Sequence, residues 1–420
     1  MNPEKVFKRY DIRGEYPEEI DERFGERLGK SLALLLTEKF EKEVSVCRDA
    51  KQSSKPLKKA LIKGLKSSGV KVYDAGNGPT DYAAWTGKKT GCVSVQVTSS
   101  HMPSNFNGFK MMYPEGNSFV NEDLDRVKEF FRSGEFERGD AEVEEMFLIE
   151  KYKEEVLKFA EKYYEKGNSV VYSSMGGSGS VLPDILDERG QKVLDVSPSE
   201  LKNPPNPKPE NLDLEKKVEK AGADIGIAND LDADRITVYF DGEYLSGDEL
   251  FCVLAQLFEG KVVASIDAVK GLEEFADVEY TRVGDPFVLE KAVDSGSVLA
   301  GEPNGHYAFT NFVPYSSGVA AGIILSGLDL EKKLGKVPNF EVERRSVEVD
   351  DKNKALNVVE AETDDEKVVS RLDGLKFVED GVSVLVRPSG SSSRLRAVAS
   401  SRDGDVGKVL ESVVEMVEGK

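Results

Sequence analysis

The chain has 420 residues, too many for one hydrophobic core, and this length favours three or four domains. A formal net charge of −20 argues against nucleic acid or an anionic membrane as a partner, and it makes any phosphate site a local basic exception. Three scattered cysteines and two histidines also argue against a disulfide framework and a zinc site.

The N-terminal segment "FKRYDIRG", residues 7–14, concentrates positive charge on Lys8, Arg9 and Arg13. On its own, such a cluster is typical of a solvated surface. The N-terminus contains no apolar stretch of the kind that directs a chain to secretion. The few scattered cysteines make a reducing cytoplasm the expected compartment.

Three stretches share one layout: a short apolar strand, a polar loop, a helical segment and a second strand. They span residues 44–76, 169–197 and 261–284. Strand–helix–strand at this length predicts a parallel strand pair joined by a crossover helix. Three such units indicate three similar α/β domains, with ligand-binding loops at the carboxyl ends of their strands.

The segment "VTSSHMPSNFNGFK", residues 97–110, follows the first unit and contains Ser100 and His101, one of the two histidines. One interpretation is a polar loop that happens to contain a histidine. The other is a loop that presents a nucleophilic serine. The residues of this segment alone leave both open.

After the second unit, the segment "GIANDLDADRITVYF" places Asp230, Asp232 and Asp234 at alternate positions directly behind an apolar strand. Carboxylates this close repel one another unless a hard divalent cation lies among them. Arg235, the next residue, is of a type suited to phosphate. An EF-hand is excluded, since Arg235 and Asp241 stand where that loop needs glycine and glutamate. A magnesium site open to phosphate oxygens and a solvated acidic turn are the alternatives.

After the third unit, the segment "LAGEPNGHYAF", residues 299–309, contains Glu302, Asn304 and the second histidine, His306. These side chains, around two glycines, suit the vicinal hydroxyls of a sugar, and an ordinary turn is the alternative. The apolar run that follows, residues 318–328, is too short to span a membrane and predicts a buried helix.

From about residue 338 the pattern changes and predicts a smaller α+β domain. Strands are predicted at 341–350, 375–379, 381–390 and 394–401, and helices at 354–371 and 404–418.

Within this tail, the segment "VLVRPSGSSSRLRAVAS", residues 384–400, leads from a strand into a run of small hydroxyl residues. Such a run lets backbone N–H groups surround an anion, and Arg387 and Arg396 supply charge. A low-complexity Ser/Gly turn is the alternative.

Taken in order, these segments resemble the motifs of the α-D-phosphohexomutase superfamily, which includes phosphomannomutase/phosphoglucomutase and phosphoglucosamine mutase. "YDIRG" is similar to the opening segment of that superfamily, "TSSHMPSNFNGFK" to its phosphoserine loop, and "NPKPENL" (206–212) to the segment upstream of its metal loop. "DLDADR", "GEPNGH" and "RPSGSSSRLR" resemble its metal, sugar and phosphate loops. The resemblance covers nearly the whole chain and includes both histidines.

The resemblance implies three similar α/β domains with mixed sheets and a smaller C-terminal α+β domain around a central cleft. The expected domains are 1–150 with the phosphoserine loop, 151–246 with the metal loop, 247–337 with the sugar loop and 338–420 with the phosphate loop. A monomer or a homodimer is expected.

The implied activity interconverts hexose 1-phosphate and hexose 6-phosphate through a phosphoserine and a hexose 1,6-bisphosphate, which also primes the enzyme. One Mg²⁺ per chain would be held by Asp230, Asp232, Asp234 and the phosphorylated Ser100. The implied catalytic residues are Ser100, His101, Lys110, Arg235 and His306. The implied substrate-binding residues are Tyr10, Arg13, Gly284, Asp285, Glu302, Asn304, Arg387, Ser389, Gly390, Ser391 and Arg396.

The chain departs from the superfamily pattern in each loop. Met102 replaces an asparagine that follows the histidine, Leu231 replaces the glycine of the metal loop, and Asn304 replaces a serine. Ser392 and Ser393 replace a Glu-Pro pair. A leucine at a position that needs a positive φ would be strained. We expect these changes to alter substrate preference rather than abolish the chemistry.

Three alternatives stay open at this point. The first is a phosphoglucosamine mutase. The second, suggested by Met102 and Leu231, is a sugar-phosphate-binding protein without catalytic activity. The third is a Mg²⁺-dependent phosphohydrolase with Asp230 as the nucleophile.

Overall fold

A computed structural model of the chain describes residues 3–389 and 393–418. Four sheets follow one another along these residues, three of them mixed and the last antiparallel. The architecture is therefore three α/β domains followed by a C-terminal α+β domain, as predicted. The boundaries at residues 150, 246 and 337 stay predictions.

The first domain contains a six-stranded sheet. Its strands are β1 (Ile12–Glu15), β2 (Glu43–Arg48), β3 (Lys71–Asp74), β4 (Val93–Val97), β5 (Phe106–Met112) and β6 (Val143–Glu145). The helices are α1 (Pro3–Val6), α2 (Glu22–Lys39), α3 (Ser54–Lys66), α4 (Thr80–Thr90) and α5 (Asn121–Ser133). The strand order is β1-β5-β4-β2-β3-β6, and β5 runs antiparallel to both of its neighbours.

The second domain contains a five-stranded sheet. Its strands are β7 (Val170–Ser173), β8 (Val193–Asp195), β9 (Ile225–Asn229), β10 (Ile236–Phe240) and β11 (Glu243–Tyr244). The helices are α6 (Ile149–Ala160), α7 (Leu182–Glu188) and α8 (Leu214–Ala221). The strand order is β11-β10-β9-β7-β8.

The third domain repeats this arrangement. Its strands are β12 (Lys261–Ser265), β13 (Asp277–Thr281), β14 (Leu299–Glu302), β15 (His306–Phe309) and β16 (Val313–Ser316). The helices are α9 (Gly247–Ala255), α10 (Asp285–Ser295), α11 (Gly318–Ser326) and α12 (Leu330–Leu334). The strand order is β13-β12-β14-β15-β16.

The fourth domain contains an antiparallel sheet. Its strands are β17 (Glu341–Glu348), β18 (Val368–Ser370), β19 (Leu375–Glu379), β20 (Val382–Pro388) and β21 (Arg394–Ser401), in the order β17-β21-β20-β19-β18. The helices are α13 (Lys352–Glu362) and α14 (Val406–Glu418). Short 3₁₀ turns occur in the chain at Glu161–Tyr163, Ser178–Val181, Pro209–Asn211, Lys270–Glu274 and Asp365–Lys367.

The three predicted repeat units are confirmed as parallel strand pairs, since β2 pairs with β3, β7 with β8 and β12 with β13. In the third unit, the short connection forms the 3₁₀ turn Lys270–Glu274 instead of an α-helix. The predicted buried helix at 318–328 is α11, in which every residue is buried.

One helix prediction in the tail is wrong in its second half. The helix predicted at 354–371 ends at Glu362, and Thr363 adopts an extended conformation (φ −99°, ψ 125°). Val368–Ser370 then forms the edge strand β18, which pairs with β19. Pairing with β19, the next strand along the chain, therefore overrides the local helical pattern.

The four loops singled out in the sequence occupy equivalent places. Each joins two antiparallel neighbours: β4 to β5, β9 to β10, β14 to β15 and β20 to β21. In the first three domains the strand before the loop also pairs in parallel on its other side. The loops thus leave the carboxyl end of a central strand, the edge where α/β sheets bind ligands.

The largest apolar core is shared between the second and third domains, and α4 of the first domain contributes Tyr82 and Trp85 to it. The fourth domain has an apolar core of its own, formed by residues from Val359 to Val413. Among the described residues, the helices are all too short or too polar to cross a membrane.

Glycines let α2 and α3 approach closely. A Cβ added to Gly29 would lie 2.3 Å from the carbonyl oxygen of Leu61, and one added to Gly64 would lie 2.1 Å from that of Glu26. Both obstacles are backbone atoms, which cannot move aside without shifting a helix.

We expect Gly29→Ala to lower the free energy of unfolding by about 1–3 kcal/mol, because the added methyl group forces the two helices apart. Denaturant unfolding followed by circular dichroism measures this. The matched control is Gly407→Ala in α14, where the nearest atom to the new Cβ lies 3.7 Å away. That change should be neutral or stabilising by up to ~1 kcal/mol. Equal effects of the two substitutions would contradict the packing argument.

Candidate active site

The three aspartates lie in the turn between β9 and β10. Asp230, Asp232 and Asp234 are at most 2% exposed, and one carboxylate oxygen of each lies within 4.8 Å of the others. Like charges at these distances repel strongly in a buried environment. Stability of the turn therefore requires positive charge around it. We call residues 230–234 the aspartate turn.

Segments from three domains hold the backbone of the aspartate turn. The N–H groups of Thr80, Ser178 and Gly318 donate to carbonyl oxygens of the turn at 2.7–2.9 Å. Thr80 begins α4, Ser178 follows β7, and Gly318 begins α11. The first three domains therefore meet at this turn.

The expected strain at Leu231 is wrong. The residue of the turn with a left-handed backbone is Ala233, with a φ of 56°, and Leu231 is not among the described residues with a positive φ. The Leu231 side chain is fully buried. Replacing the glycine therefore costs no backbone strain at position 231, because the left-handed residue comes two positions later.

Lys110, on β5, supplies the closest positive charge. Its Nζ donates to Asp232 Oδ2 at 2.8 Å and to Asp234 Oδ2 at 2.6 Å. Although burial lowers the pKa of Lys110, these two carboxylates raise it well above its ordinary value. A lysine in this state keeps its proton, so the contacts favour charge neutralisation as its role.

Ser100 lies in the loop between β4 and β5 and turns its hydroxyl toward the aspartate turn. Its Oγ lies 3.3 Å from Asp230 Oδ2 and 3.2 Å from His101 Nδ1. A hydroxyl has one proton, so if Ser100 donates to Asp230, the Nδ1–H of His101 is the donor to Ser100. Ser100 has a left-handed φ of 51°, which is unfavourable for serine. The loop thus stores backbone strain at the residue that faces the carboxylates.

His101 is neutral. Burial, together with the charges of Arg235 and Arg13, lowers its pKa to about 2. Its imidazole therefore orients the Ser100 hydroxyl without adding charge. The next residue, Met102, is partly exposed, and its N–H donates to the carbonyl oxygen of Ser99 at 3.2 Å. The loop keeps this backbone bond whatever side chain follows the histidine.

Two arginines extend the positive charge around the aspartate turn. Arg13, on β1, pairs with Asp11 at 2.5 Å. Although burial lowers the pKa of Arg13, Asp11 and the more distant aspartates of the turn raise it above its ordinary value. Arg235 follows the turn directly. Its backbone N–H donates to Asp230 Oδ1 at 3.3 Å, and its guanidinium Nε lies 3.1 Å from His306 Nε2.

His306, at the start of β15, forms an isolated antiparallel bridge with Arg235. Its Nε2 lies 3.1 Å from Arg235 Nε and 3.4 Å from Asp234 Oδ1, and its Nδ1 lies 3.4 Å from Glu302 Oε2. Although burial lowers the pKa of His306, Asp285 and Asp234 raise it to about 10. Nε2 cannot accept from the arginine and donate to the aspartate at once. The carboxylates on both sides of the ring favour the protonated form.

Glu302 organises the neighbouring part of the third domain. Its Oε1 accepts the N–H of Gly284 at 2.7 Å, and its Oε2 accepts the Asn304 amide at 3.2 Å. A Cβ added to Gly284, whose φ is 138°, would lie 3.2 Å from the hydroxyl of Tyr10. Tyr10, Gly284, Glu302 and Asn304, all of which the resemblance implies as substrate-binding residues, thus come together.

The structure describes part of the predicted phosphate loop. Ser389 is buried, and Lys352 Nζ donates to its carbonyl oxygen at 2.8 Å. The predicted binding residues Gly390 and Ser391 lie outside the described residues, as does Ser392.

Arg387 and Arg396 are directly opposite each other on β20 and β21. Arg387 pairs with Asp373 at 3.3 Å, and Asp373 also accepts the N–H of Val283 at 3.2 Å. This brings the fourth domain next to Gly284 in the third. Within the described ranges, neither arginine forms an ion pair with the aspartate turn, so the candidate site has two separate ends.

Two residues that contact these loops escape sequence analysis. Thr80 donates to Asp232 in the aspartate turn. Lys51 donates to Ser99 Oγ at 3.0 Å and to the carbonyl oxygens of Pro103 and Phe106. Burial lowers the pKa of Lys51 to about 8. Thr80 follows β3 and Lys51 follows β2, at the edge of the sheet where ligands bind. A position after a parallel strand was the one signal by which the sequence could have identified these two residues.

The aspartate turn fits a hard divalent cation. Asp232 Oδ1 is buried and accepts no hydrogen bond from any described residue, and Asp234 Oδ1 is buried with His306 Nε2 3.4 Å away. Carboxylate oxygens of this kind are the ligands that Mg²⁺ takes. Asp285, Glu302 and His306 form an equally compact group. Both oxygens of Glu302 already accept hydrogen bonds there, so the turn is the better cation site.

Comparison with protein families gives matches over the first three domains. Models of the phosphoglucomutase/phosphomannomutase family match residues 4–138 as alpha/beta/alpha domain I, 149–242 as domain II and 246–337 as domain III.

Individual proteins match over nearly the full length. The chain is 30% identical to a phosphoglucomutase/phosphomannomutase of Thermococcus kodakarensis, over 99% of this chain and 98% of the relative. It is 29% identical to a probable phosphoglucosamine mutase of Methanosarcina barkeri, with the same coverage. A crystal structure of a phosphoglucomutase/phosphomannomutase family protein from Burkholderia thailandensis has the same fold, with a TM-score of 0.88 at 22% identity over 100% of this chain and 98% of that one.

We expect Asp230→Asn to raise the free energy of unfolding of the metal-free protein by about 1–2 kcal/mol, as stability is commonly gained when a strained polar site is relieved. Burial and the charges of Asp234 and Asp232 hold the pKa of Asp230 well above its usual range. The charged form therefore destabilises the fold, and the amide removes that charge.

Urea unfolding in the presence of a chelator measures this effect. Asp277→Asn is the control, because Asp277 is exposed. This substitution should change the free energy of unfolding by less than about 0.5 kcal/mol. A clear loss of stability in Asp230→Asn would show that repulsion does not dominate the turn.

Proposed function

Because the chain belongs to the phosphoglucomutase/phosphomannomutase family, and is therefore a mutase, we propose that it interconverts hexose 1-phosphates and hexose 6-phosphates through a phosphoserine at Ser100. The observation that carries this proposal is the position of a buried serine hydroxyl, 3.3 Å from a carboxylate of the aspartate turn. A phosphoryl group on that oxygen would face the cation site. Positioning and charge neutralisation are what phosphoryl transfer requires of a protein.

In the first transfer, the bond between phosphorus and Ser100 Oγ breaks as phosphorus bonds to a free hydroxyl of the hexose phosphate. Ser100 Oγ gains a proton, and the hexose hydroxyl loses one. His306, which holds a proton between carboxylates, would give that proton to Ser100 Oγ and take up the proton that the hexose hydroxyl loses. Lys110 holds its proton more firmly and neutralises the aspartates instead. The resulting bisphosphate turns around, and the reverse steps return its other phosphoryl group to Ser100.

Asp230, Asp232 and Asp234 would hold one Mg²⁺. When bound, the ion supplies positive charge that offsets the charge of the transferring phosphoryl oxygens. Arg13 and Arg235 add fixed positive charge beside the same turn.

The substrate spans the two ends of the site. Glu302 and Asn304 would bind hexose hydroxyls, with Tyr10, Gly284 and Asp285 around them. The phosphate that is not reacting would bind at the fourth domain, where Arg387 and Arg396 supply charge. Ser389, Gly390 and Ser391 complete that site in this proposal.

Glucose and mannose phosphates are the proposed substrates, and glucosamine phosphate is the second candidate. One of the two relatives described above is named a phosphoglucomutase/phosphomannomutase, and the other a probable phosphoglucosamine mutase. Both substrate classes therefore need to be assayed. The side chain that distinguishes this sugar loop is Asn304, whose amide is held by Glu302.

We expect intact-mass spectrometry to show a gain of one phosphate after incubation with glucose 1,6-bisphosphate and Mg²⁺. Ser100→Ala should abolish the gain, since it removes the accepting oxygen. Ser99→Ala is the matched control, because the neighbouring hydroxyl accepts a hydrogen bond from Lys51 and does not face the turn. Sugar-phosphate binding without any phosphate gain would refute the phosphoserine proposal and favour a binding protein.

We expect glucose 1-phosphate and mannose 1-phosphate to be converted with a higher kcat/KM than glucosamine 6-phosphate. Coupled assays of the three substrates on one preparation measure this. A preference for the amino sugar would assign the chain to the second candidate. Release of inorganic phosphate that persists in Ser100→Ala would instead indicate a hydrolase.

A further inference from the structure

The two carboxylate oxygens of Asp232 have different surroundings. Oδ2 accepts the hydroxyl of Thr80 at 2.7 Å and the ammonium group of Lys110 at 2.8 Å. Oδ1 is buried and accepts no hydrogen bond from the described part of the chain. One oxygen is therefore saturated by protein donors, and the other is left for a ligand.

Thr80 holds Asp232 at two points. Besides its hydroxyl bond, its backbone N–H donates to the carbonyl oxygen of Asp232 at 2.9 Å. Thr80 is fully buried at the first position of α4. The same helix buries Tyr82 and Trp85 in the core of the second and third domains. The threonine hydroxyl is thus carried by a rigid element that packs against the domain of the aspartate.

Lys110 does not constrain the carboxylate in the same way. Its ammonium group lies between Asp232 and Asp234 and ends a flexible side chain. It can follow either carboxylate when that group rotates. The threonine hydroxyl is carried on a short side chain and donates to one oxygen, Asp232 Oδ2. It therefore distinguishes the two carboxylate oxygens of Asp232.

We propose that Thr80 is a positioning residue for the divalent cation: by holding Asp232 Oδ2, it keeps Oδ1 turned toward the ion. The inference rests on the cation site of the proposed function. Groups that orient metal ligands in this way are commonly worth 10–100-fold in metal affinity. A residue of the first domain would then complete the cation site of the second.

Titration with Mn²⁺, followed by electron paramagnetic resonance of the free ion and by displacement with Mg²⁺, tests the proposal without any substrate. Mn²⁺ takes the same oxygen ligands as Mg²⁺. The variants are Thr80→Val, which removes the hydroxyl at constant shape, and Thr80→Ser, which retains it. Thr86→Val is the matched control, because Thr86 is also buried in α4 but bonds to Ala83 and Ser45. Intact mass confirms that all proteins have the same phosphorylation state.

We expect Thr80→Val to weaken Mn²⁺ binding by about 10–100-fold, and Thr80→Ser to bind within about 3-fold of the wild type. Thr86→Val should bind the ion like the wild type even if its melting temperature falls. Equal affinity in Thr80→Val, or the same loss in Thr86→Val, would overturn the positioning role and leave the proposed function intact. A wild-type protein that binds no Mn²⁺ would overturn the proposed cation site, and this inference with it.

Discussion

The burial of three carboxylates in one turn is the constraint on which the rest of the site depends. Asp230, Asp232 and Asp234 cannot share that volume without positive charge, and the surrounding segments supply it. Lys110 supplies the closest charge, and Arg235 follows the turn. In a chain with a net charge of −20, these partly buried cations offset part of the carboxylate charge locally.

The turn lies where three domains meet. The N-terminal end of α4, the segment after β7 and the start of α11 each donate an N–H group to a backbone carbonyl oxygen of the turn. The apolar core shared by the second and third domains stabilises this meeting, because separating them would expose apolar surface to water. Backbone contacts from three domains hold the aspartate turn, which suits a site that acts by positioning.

The fourth domain is attached differently. It has its own apolar core, and its contacts with the third domain include polar pairs such as Arg344 with Asp248 and Asp373 with the Val283 N–H. Phe340 and Val342 of the fourth domain also pack against the apolar core that the second and third domains share.

Sequence patterns were sufficient to predict the parallel strand units, the α+β tail and the four loops of the candidate site, because strand length, apolar spacing and turn residues are local properties. The expectation of backbone strain at Leu231 was wrong, because the left-handed residue of the turn is Ala233. The helix predicted at 354–371 was too long, because its last part includes the strand β18. Only the tertiary structure brought Thr80 to Asp232 and left one oxygen of that aspartate without a partner. Those two residues are far apart in the chain, and no local pattern specifies which distant donor reaches a carboxylate or which oxygen it leaves free for an ion.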